Sequence, residues 1–175
     1  APLATGGDAE GNLELALSAR PGTGVWLAFA GRLIPAAGLV KHDSHSADSF
    51  RCVPQGDIPP PPARRFGPAR IGILTLSPGI PAKMVAGALS ALDGCVLRVF
   101  GAGTAPPDPQ LYRALSEAHA QGCTLRAVSA CETGGISPGA YAAGAELWDS
   151  GVENGGAETP EAAFIRLWLH KSAWV

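Results

Sequence analysis

The sequence predicts an α/β protein in which residues 70–175 form a Rossmann-like, three-layer domain on a parallel sheet, preceded by an incomplete N-terminal α/β piece. Three observations carry this expectation. Val96 to Phe100 reads as a buried strand that runs into Gly101-Ala102-Gly103 and then towards a helix. A second unit of the same kind follows, with Thr124 to Ser129 leading into Ala130 to Gly135 and a further helix. Apolar runs and helical periodicities then alternate in a β-α-β-α-β-α order, which implies parallel strands joined by right-handed crossovers. Such an arrangement gathers flexible, glycine-rich backbone at the carboxyl ends of neighbouring strands, where open α/β sheets bind ligands.

The elements follow in order. Asn12 to Ala19 is a helix with Leu13 and Leu17 inward, and Val25–Ala30 and Leu33-Ile34 pair across Gly31 as a hairpin. One helix and one hairpin cannot bury enough apolar area to stand alone, so residues 1–58 should pack on something else. Pro59 to Pro62 favours an extended conformation, and residues 59–69 read as a linker. Ile71 to Leu76 is a nearly continuous apolar run, as in a strand buried on both faces. Met84, Val85, Ala88, Leu89 and Leu92 mark one face of a helix. Asp108-Pro109 opens the next helix, with Leu111, Leu115 and Ala118 inward and Gly122 closing it. Pro138 to Trp148 is read as a third helix. Thr159-Pro160-Glu161 opens the last, with Ala162, Ile165, Trp168 and Leu169 inward.

Composition narrows the classes. A chain of 175 residues with 46% hydrophobic and 16% charged residues describes a soluble globular protein. A net charge of −2 provides no basic face for a sequence-independent nucleic-acid partner. No apolar run reaches the ~18 residues of a membrane span. The start, Ala1-Pro2-Leu3, lacks a signal-like charged and apolar pattern and an initiator Met, which suggests processing or a fragment. Cys52, Cys95, Cys123 and Cys131 include no closely spaced pair, and a reduced, cytoplasmic protein is the simplest reading. His42 and His45 lack an evident third ligand, so no metal is expected, and no cofactor either. Gly101-x-Gly103 lacks the third glycine and the acidic residue of a dinucleotide site.

Several segments then occur in a telling register. Asp8-Ala9-Glu10-Gly11-Asn12-Leu13 resembles an S-D-x-x-x-N-L segment, and Lys41 followed by Asp48-Ser49-Phe50 resembles T-K…D-A-F. Leu97 to Pro106 looks like L-R-x-Y-G-x-G-N-x-P, and Ser129-Ala130-Cys131 like T-Q-C. Tyr141-Ala142-Ala143-Gly144, Ser150-Gly151-Val152 and Thr159 to Ala163 follow in the right order. These segments resemble the C-terminal half or so of bacterial-type L-asparaginases, particularly the cytoplasmic type I group.

The resemblance implies amide hydrolysis of L-asparagine through an acyl intermediate on a threonine hydroxyl. In the family a second threonine, an Asp and a Lys form the proton relay, and Lys41 matches its lysine. The T-G-G-T-I nucleophile motif and the G-T-D-T relay motif are not found. Thr5, in Thr5-Gly6-Gly7-Asp8, shares three letters of the former and is the second catalytic candidate, although it follows no apolar strand. Val40 stands where the family has Thr. Thr104 stands where it has an Asn that reaches towards a neighbouring subunit's substrate. In some type I enzymes the positions of Arg98, Ser129 and Cys131 border a regulatory asparagine site, which makes these residues and Thr104 the candidate ligand or effector site. Arg98 could hold a carboxylate by two parallel hydrogen bonds, or pair with Glu132 in a purely structural role.

The resemblance also implies a homo-oligomer, or a piece of a catalytic domain completed by a missing N-terminal portion, with a small molecule as partner. Two further readings stay open. One is a non-catalytic amino-acid-binding or interaction module. The other is the asparaginase-like subunit of a tRNA-dependent amidotransferase.

Overall fold

The computed structural model describes residues 7–55, 65–139 and 142–172, and the chain divides into two compact units, 1–55 and 56–175. Thr5 and Tyr141 lie outside the described residues, as does most of the predicted linker.

The first unit holds helix α1 (Ala9–Ser18), the strands β1 (Trp26–Phe29) and β2 (Arg32–Pro35), and the strands β3 (Leu39–Lys41) and β4 (Phe50–Cys52). β1 and β2 pair antiparallel across Ala30-Gly31, as expected. Both turn residues have positive φ, 50° and 73°, the geometry a two-residue hairpin needs to match strand twist. The Asn12 side-chain oxygen accepts the Ala30 amide at 3.0 Å and so ties α1 to this turn. A second hairpin, β3–β4, escaped the sequence reading because each strand is only three residues long. Phe29 and Phe50 meet edge to face at 4.9 Å. Leu13 and Leu17 do not point inward: they are 59% and 72% exposed, and α1 has no buried residue. Two small hairpins offer too little apolar surface to cover them.

The second unit is built on a fully parallel sheet of β5 (Ile71–Thr75), β6 (Gly94–Val99), β7 (Thr124–Ser129) and β8 (Glu153–Asn154), in that order. The expected α/β architecture is present, with a fourth strand too short to read from sequence. The order is consecutive, so these strands contain no point of reversal. Helices α2 (Ala82–Leu89) and α3 (Pro109–Ala120) cover one face, burying Val85, Leu89, Leu111 and Leu115 against Cys95, Leu97, Val99 and Leu125. Helix α5 (Pro160–Ser172) covers the other, with Ala163 and Leu167 on Val96 and Val128. Each such fully buried aliphatic side chain stabilises the fold by about 1.5–3 kcal/mol.

Local signals explain the helix ends. Asp108 caps α3 by accepting the Gln110 amide at 2.9 Å, with Pro109 in the first turn. At its other end Gly122, φ 91°, allows the Gly122 and Cys123 amides to return to His119 and Ala118. The Thr159 hydroxyl caps α5 by accepting the Ala162 amide at 3.1 Å.

Further expectations are corrected. Pro138 to Trp148 is not one helix: among the described residues it holds a turn, a 3-10 turn at Ala142–Gly144 and a short helix α4 (Ala145–Asp149). Its glycines favour bends over helix continuation. β5 is not buried on both faces, because it lies at the sheet edge and Ile73 is 46% exposed. On α2, Met84 points to solvent. On α5 the inward face is Ala163 and Leu167, while Ile165 is exposed. Within the predicted linker, Phe66 stacks on Trp168 at 4.9 Å and the Trp168 indole donates to the Gly67 carbonyl at 2.9 Å. That stretch is therefore packed on α5.

The amino end of the sheet is tied by Asp93, whose carboxylate accepts the Arg70 amide at 2.7 Å and both arms of its guanidinium at 2.7 and 3.1 Å. These bonds hold the Asp93 carboxyl down at about 2. Because the folded value is depressed, the stabilisation is present above the ordinary carboxylate range near ~4 and is lost as pH falls towards 2. Asp93→Asn should cost under ~1 kcal/mol at pH 7, since the pair is largely exposed. The deficit relative to the unsubstituted chain should disappear near pH 2 in urea midpoints. A pH-independent deficit would show that the bond geometry, not the charge, matters.

Candidate functional site

The carboxyl ends of β6 and β7 each deliver a loop, and the two loops are hydrogen-bonded together. β6 places Arg98 near its end, and the chain then turns tightly, with Phe100 and Thr104 bridging antiparallel and exchanging bonds of 2.7 and 3.1 Å. Gly101 and Gly103 take φ values of 44° and 122°. At Gly103 glycine is required twice over, because a Cβ there would stand 2.7 Å from the Trp148 ring. Trp148 of α4 thus packs on the bare backbone of the turn.

Ser129, buried at the end of β7, joins the loops. Its hydroxyl donates to the Gly101 carbonyl at 2.7 Å and accepts the Cys131 amide at 3.0 Å. The Ala130 amide returns to the Val99 carbonyl at 2.7 Å, and the Ser137 amide to the Ala102 carbonyl at 3.0 Å. Arg98 donates to the Ala130 carbonyl at 3.4 Å, while its buried Nε has no hydrogen-bond partner among the described residues. Such an orphaned donor costs stability unless a ligand or water satisfies it. Cys131 is exposed, whereas Cys95 and Cys123 are buried and all four cysteines are free thiols. Burial pushes the Cys95 thiol up to about 12, so it behaves as a packed hydrophobe.

The structure therefore brings Arg98, Thr104, Ser129 and Cys131 to the same end of one sheet. Lys41 belongs to the first unit. It lies exposed at the end of β3, opposite Phe50, with its Nζ 5.6 Å from the Phe50 ring centroid. The Lys41 and Asp48-Ser49-Phe50 segments are thus the two arms of one hairpin, closed by the His42 amide on the Ser49 carbonyl at 2.9 Å. Asp48 meanwhile pairs with Arg32. Among the described residues no group of three or more His, Cys, Asp or Glu side chains is placed to hold a metal.

One polar cluster gave no sequence signal. Glu158, buried just before α5, meets Arg126 at 2.6 Å and Arg166 at 2.8 Å, and Arg126 also reaches Glu153 at 3.1 Å. Arg126 lies far in sequence from Glu153, Glu158 and Arg166, and the group follows no recognised spacing.

A consecutive parallel sheet, clothed on both faces and carrying paired glycine-rich loops at its strand ends, defines a three-layer α/β domain. The family described as Glutaminase/Asparaginase C-terminal domain matches residues 70–172, more than half of the chain, and the chain belongs to that family. L-asparaginase 1 of Escherichia coli K12 is 34% identical over 101 residues, which is 57% of this chain and 30% of that enzyme. The human 60 kDa lysophospholipase is 37% identical over 98 residues, 55% of this chain and 17% of that protein. The chain thus spans under a third of the length of either relative. Among solved structures, L-asparaginase I from Vibrio cholerae superposes with a TM-score of 0.79 at 26% identity, covering 96% of this chain and 57% of that one. The thermostable L-asparaginase from Thermococcus kodakarensis shares the fold, with a TM-score of 0.78 at 23% identity, covering 93% of this chain and 56% of that one.

Proposed function

We propose that this chain forms the C-terminal portion of an L-asparaginase-type amidohydrolase that converts L-asparagine and water to L-aspartate and ammonia. The observation that supports it most is the family match over residues 70–172, joined to a likeness of fold covering 96% of the chain. In this reading a threonine hydroxyl attacks the side-chain amide carbon, ammonia leaves with the transferred proton, and water then cleaves the ester. Lys41, exposed at the end of β3, is the relay base once further polypeptide or a second copy shields it from water, and Thr5 is the candidate nucleophile within this chain. Arg98 grips a carboxylate, with its unsatisfied Nε as support, and Thr104, Ser129 and Cys131 border the same ligand or effector site. Since the Ser129 hydroxyl already bonds Gly101 and Cys131, its part is to set the loop shape. No described helix is long and apolar enough to cross a membrane. The reading carries a cytoplasmic homo-oligomer with a small-molecule partner, no nucleic acid and no cofactor, or a catalytic domain completed by further polypeptide. Exposed Leu13, Leu17, Val25 and Trp26 fit either arrangement.

A second reading, an amino-acid-binding module without turnover, is favoured by Val40 and Thr104 standing where the resemblance calls for Thr and Asn. Ammonia release from L-asparagine, measured beside calorimetric binding of asparagine, separates the two. The expected result is turnover that falls at least ~100-fold in Lys41→Ala, the scale of lost proton transfer. Arg98→Gln should weaken asparagine binding about tenfold. Binding without turnover would favour the module, and neither binding nor turnover would sink both readings.

A further inference from the structure

We infer that the second unit carries an anion site at the amino end of its sheet, built to take a phosphate group. This site lies at the opposite end of the strands from Arg98 and Ser129 and does not rest on the amidohydrolase reading. A cavity of about 180 Å³ opens there, lined by Thr124 and Arg126 of β7, Glu153 of β8, and Arg166, His170 and Lys171 of α5. Helical spacing puts Arg166 and His170 one turn apart on the same side of α5.

The cations are held in place before any ligand arrives. Glu158, 3% exposed, accepts a hydrogen bond from Nε of Arg126 and forms an ion pair with Nε of Arg166, and Glu153 accepts from Nη1 of Arg126. The other terminal guanidinium nitrogen of Arg126, and both of those of Arg166, make no hydrogen bond to a described residue. Lys171 Nζ is anchored on the Gly122 carbonyl at 2.9 Å, with its remaining donors free to turn. Three cations thus face two carboxylates, an excess of one positive charge before His170 is counted. The negative dipole end of α5 accounts for His170 and Lys171 near its last turn, but not for Arg126 on a strand or Arg166 further back. Donors arriving from a strand and from two turns of a helix suit a tetrahedral oxyanion, which accepts bonds in several directions, better than a flat carboxylate.

The test is calorimetric titration of the full 175-residue chain with inorganic phosphate and with glycerol 3-phosphate, at fixed ionic strength set by chloride. Saturable binding of one equivalent is expected, weakened about fivefold or more in Lys171→Gln, which removes one charge-assisted donor at the rim. Arg113→Gln, an exposed change on α3, should leave it untouched. Tighter phosphate would assign the site to the free ion and tighter ester to a phosphorylated metabolite, and both uphold it. Because Lys171→Gln could loosen the end of α5, His170→Gln serves as a second variant, with circular dichroism confirming that each is folded. No saturable heat, or equal affinity in the folded variants and the unsubstituted chain, would overturn the proposal.

Discussion

Gly103→Ala should destabilise the second unit by about 3 kcal/mol, lowering its melting temperature by roughly 10 °C, and should weaken any ligand held by the strand-end loops. Two effects combine. The φ of 122° strains any side-chain-bearing residue, and the new Cβ would stand 2.7 Å from Trp148 and 3.1 Å from Ile136. The turn cannot yield without disturbing the Phe100–Thr104 bridge and the Ser129 bond to Gly101. Gly101→Ala is the matched control, because its φ of 44° is left-handed but nothing lies within 4 Å of the added Cβ. It should cost only about 1 kcal/mol. Thermal unfolding of the two variants decides the matter: equal losses would mean that strain alone, and not the Trp148 contact, makes Gly103 necessary.

The second large effect is expected at Glu158. Replacing it with Gln removes the one buried charge shared by Arg126 and Arg166, both of which are mostly withdrawn from solvent at 18% and 20% exposure. Breaking a buried pair by removing one partner costs about 3–5 kcal/mol, and the residual exposure of the arginines places this case near 3. The double variant Glu158→Gln with Arg166→Gln should recover part of that loss, since fewer uncompensated charges remain. Urea unfolding measures both. A single variant within 0.5 kcal/mol of the unsubstituted chain, roughly the scatter of surface changes, would show that water already satisfies the arginines.

How much was legible beforehand depended on whether a signal was local. The α3 helix was readable at both ends because Asp108, Pro109 and Gly122 act through the backbone next to them. The strand at Val96–Val99 was readable because it is the one most thoroughly enclosed, so nearly every side chain on it is apolar. The same logic misjudged β5, whose composition is that of a central strand although it sits at an edge. On α5 periodicity points to Ile165, which is exposed, because Ala162, Ala163, Ile165 and Leu167 are all apolar and only the register against β6 and β7 selects among them. The hairpin linking Lys41 to Phe50 carries no strand signal because each arm is three residues long, although both arms carry the family resemblance.

The sequence alone determined the strand–glycine–helix order, the helix caps, the glycine turns and the membership of the family. These depend on backbone preferences and on the pattern of apolar residues, which neighbours along the chain enforce. Only the tertiary structure decided which faces are covered, that Ser129 ties one loop to the other, that Trp148 rests on Gly103, and that Glu158 draws two distant arginines to one cavity. The Ser129–Gly101, Trp148–Gly103 and Glu158–Arg126 contacts join residues 28 to 45 positions apart, and the covered faces depend on an edge that no single segment can sense. Long-range contacts of this kind are set by how the layers stack, because burial and charge compensation are properties of the assembled core.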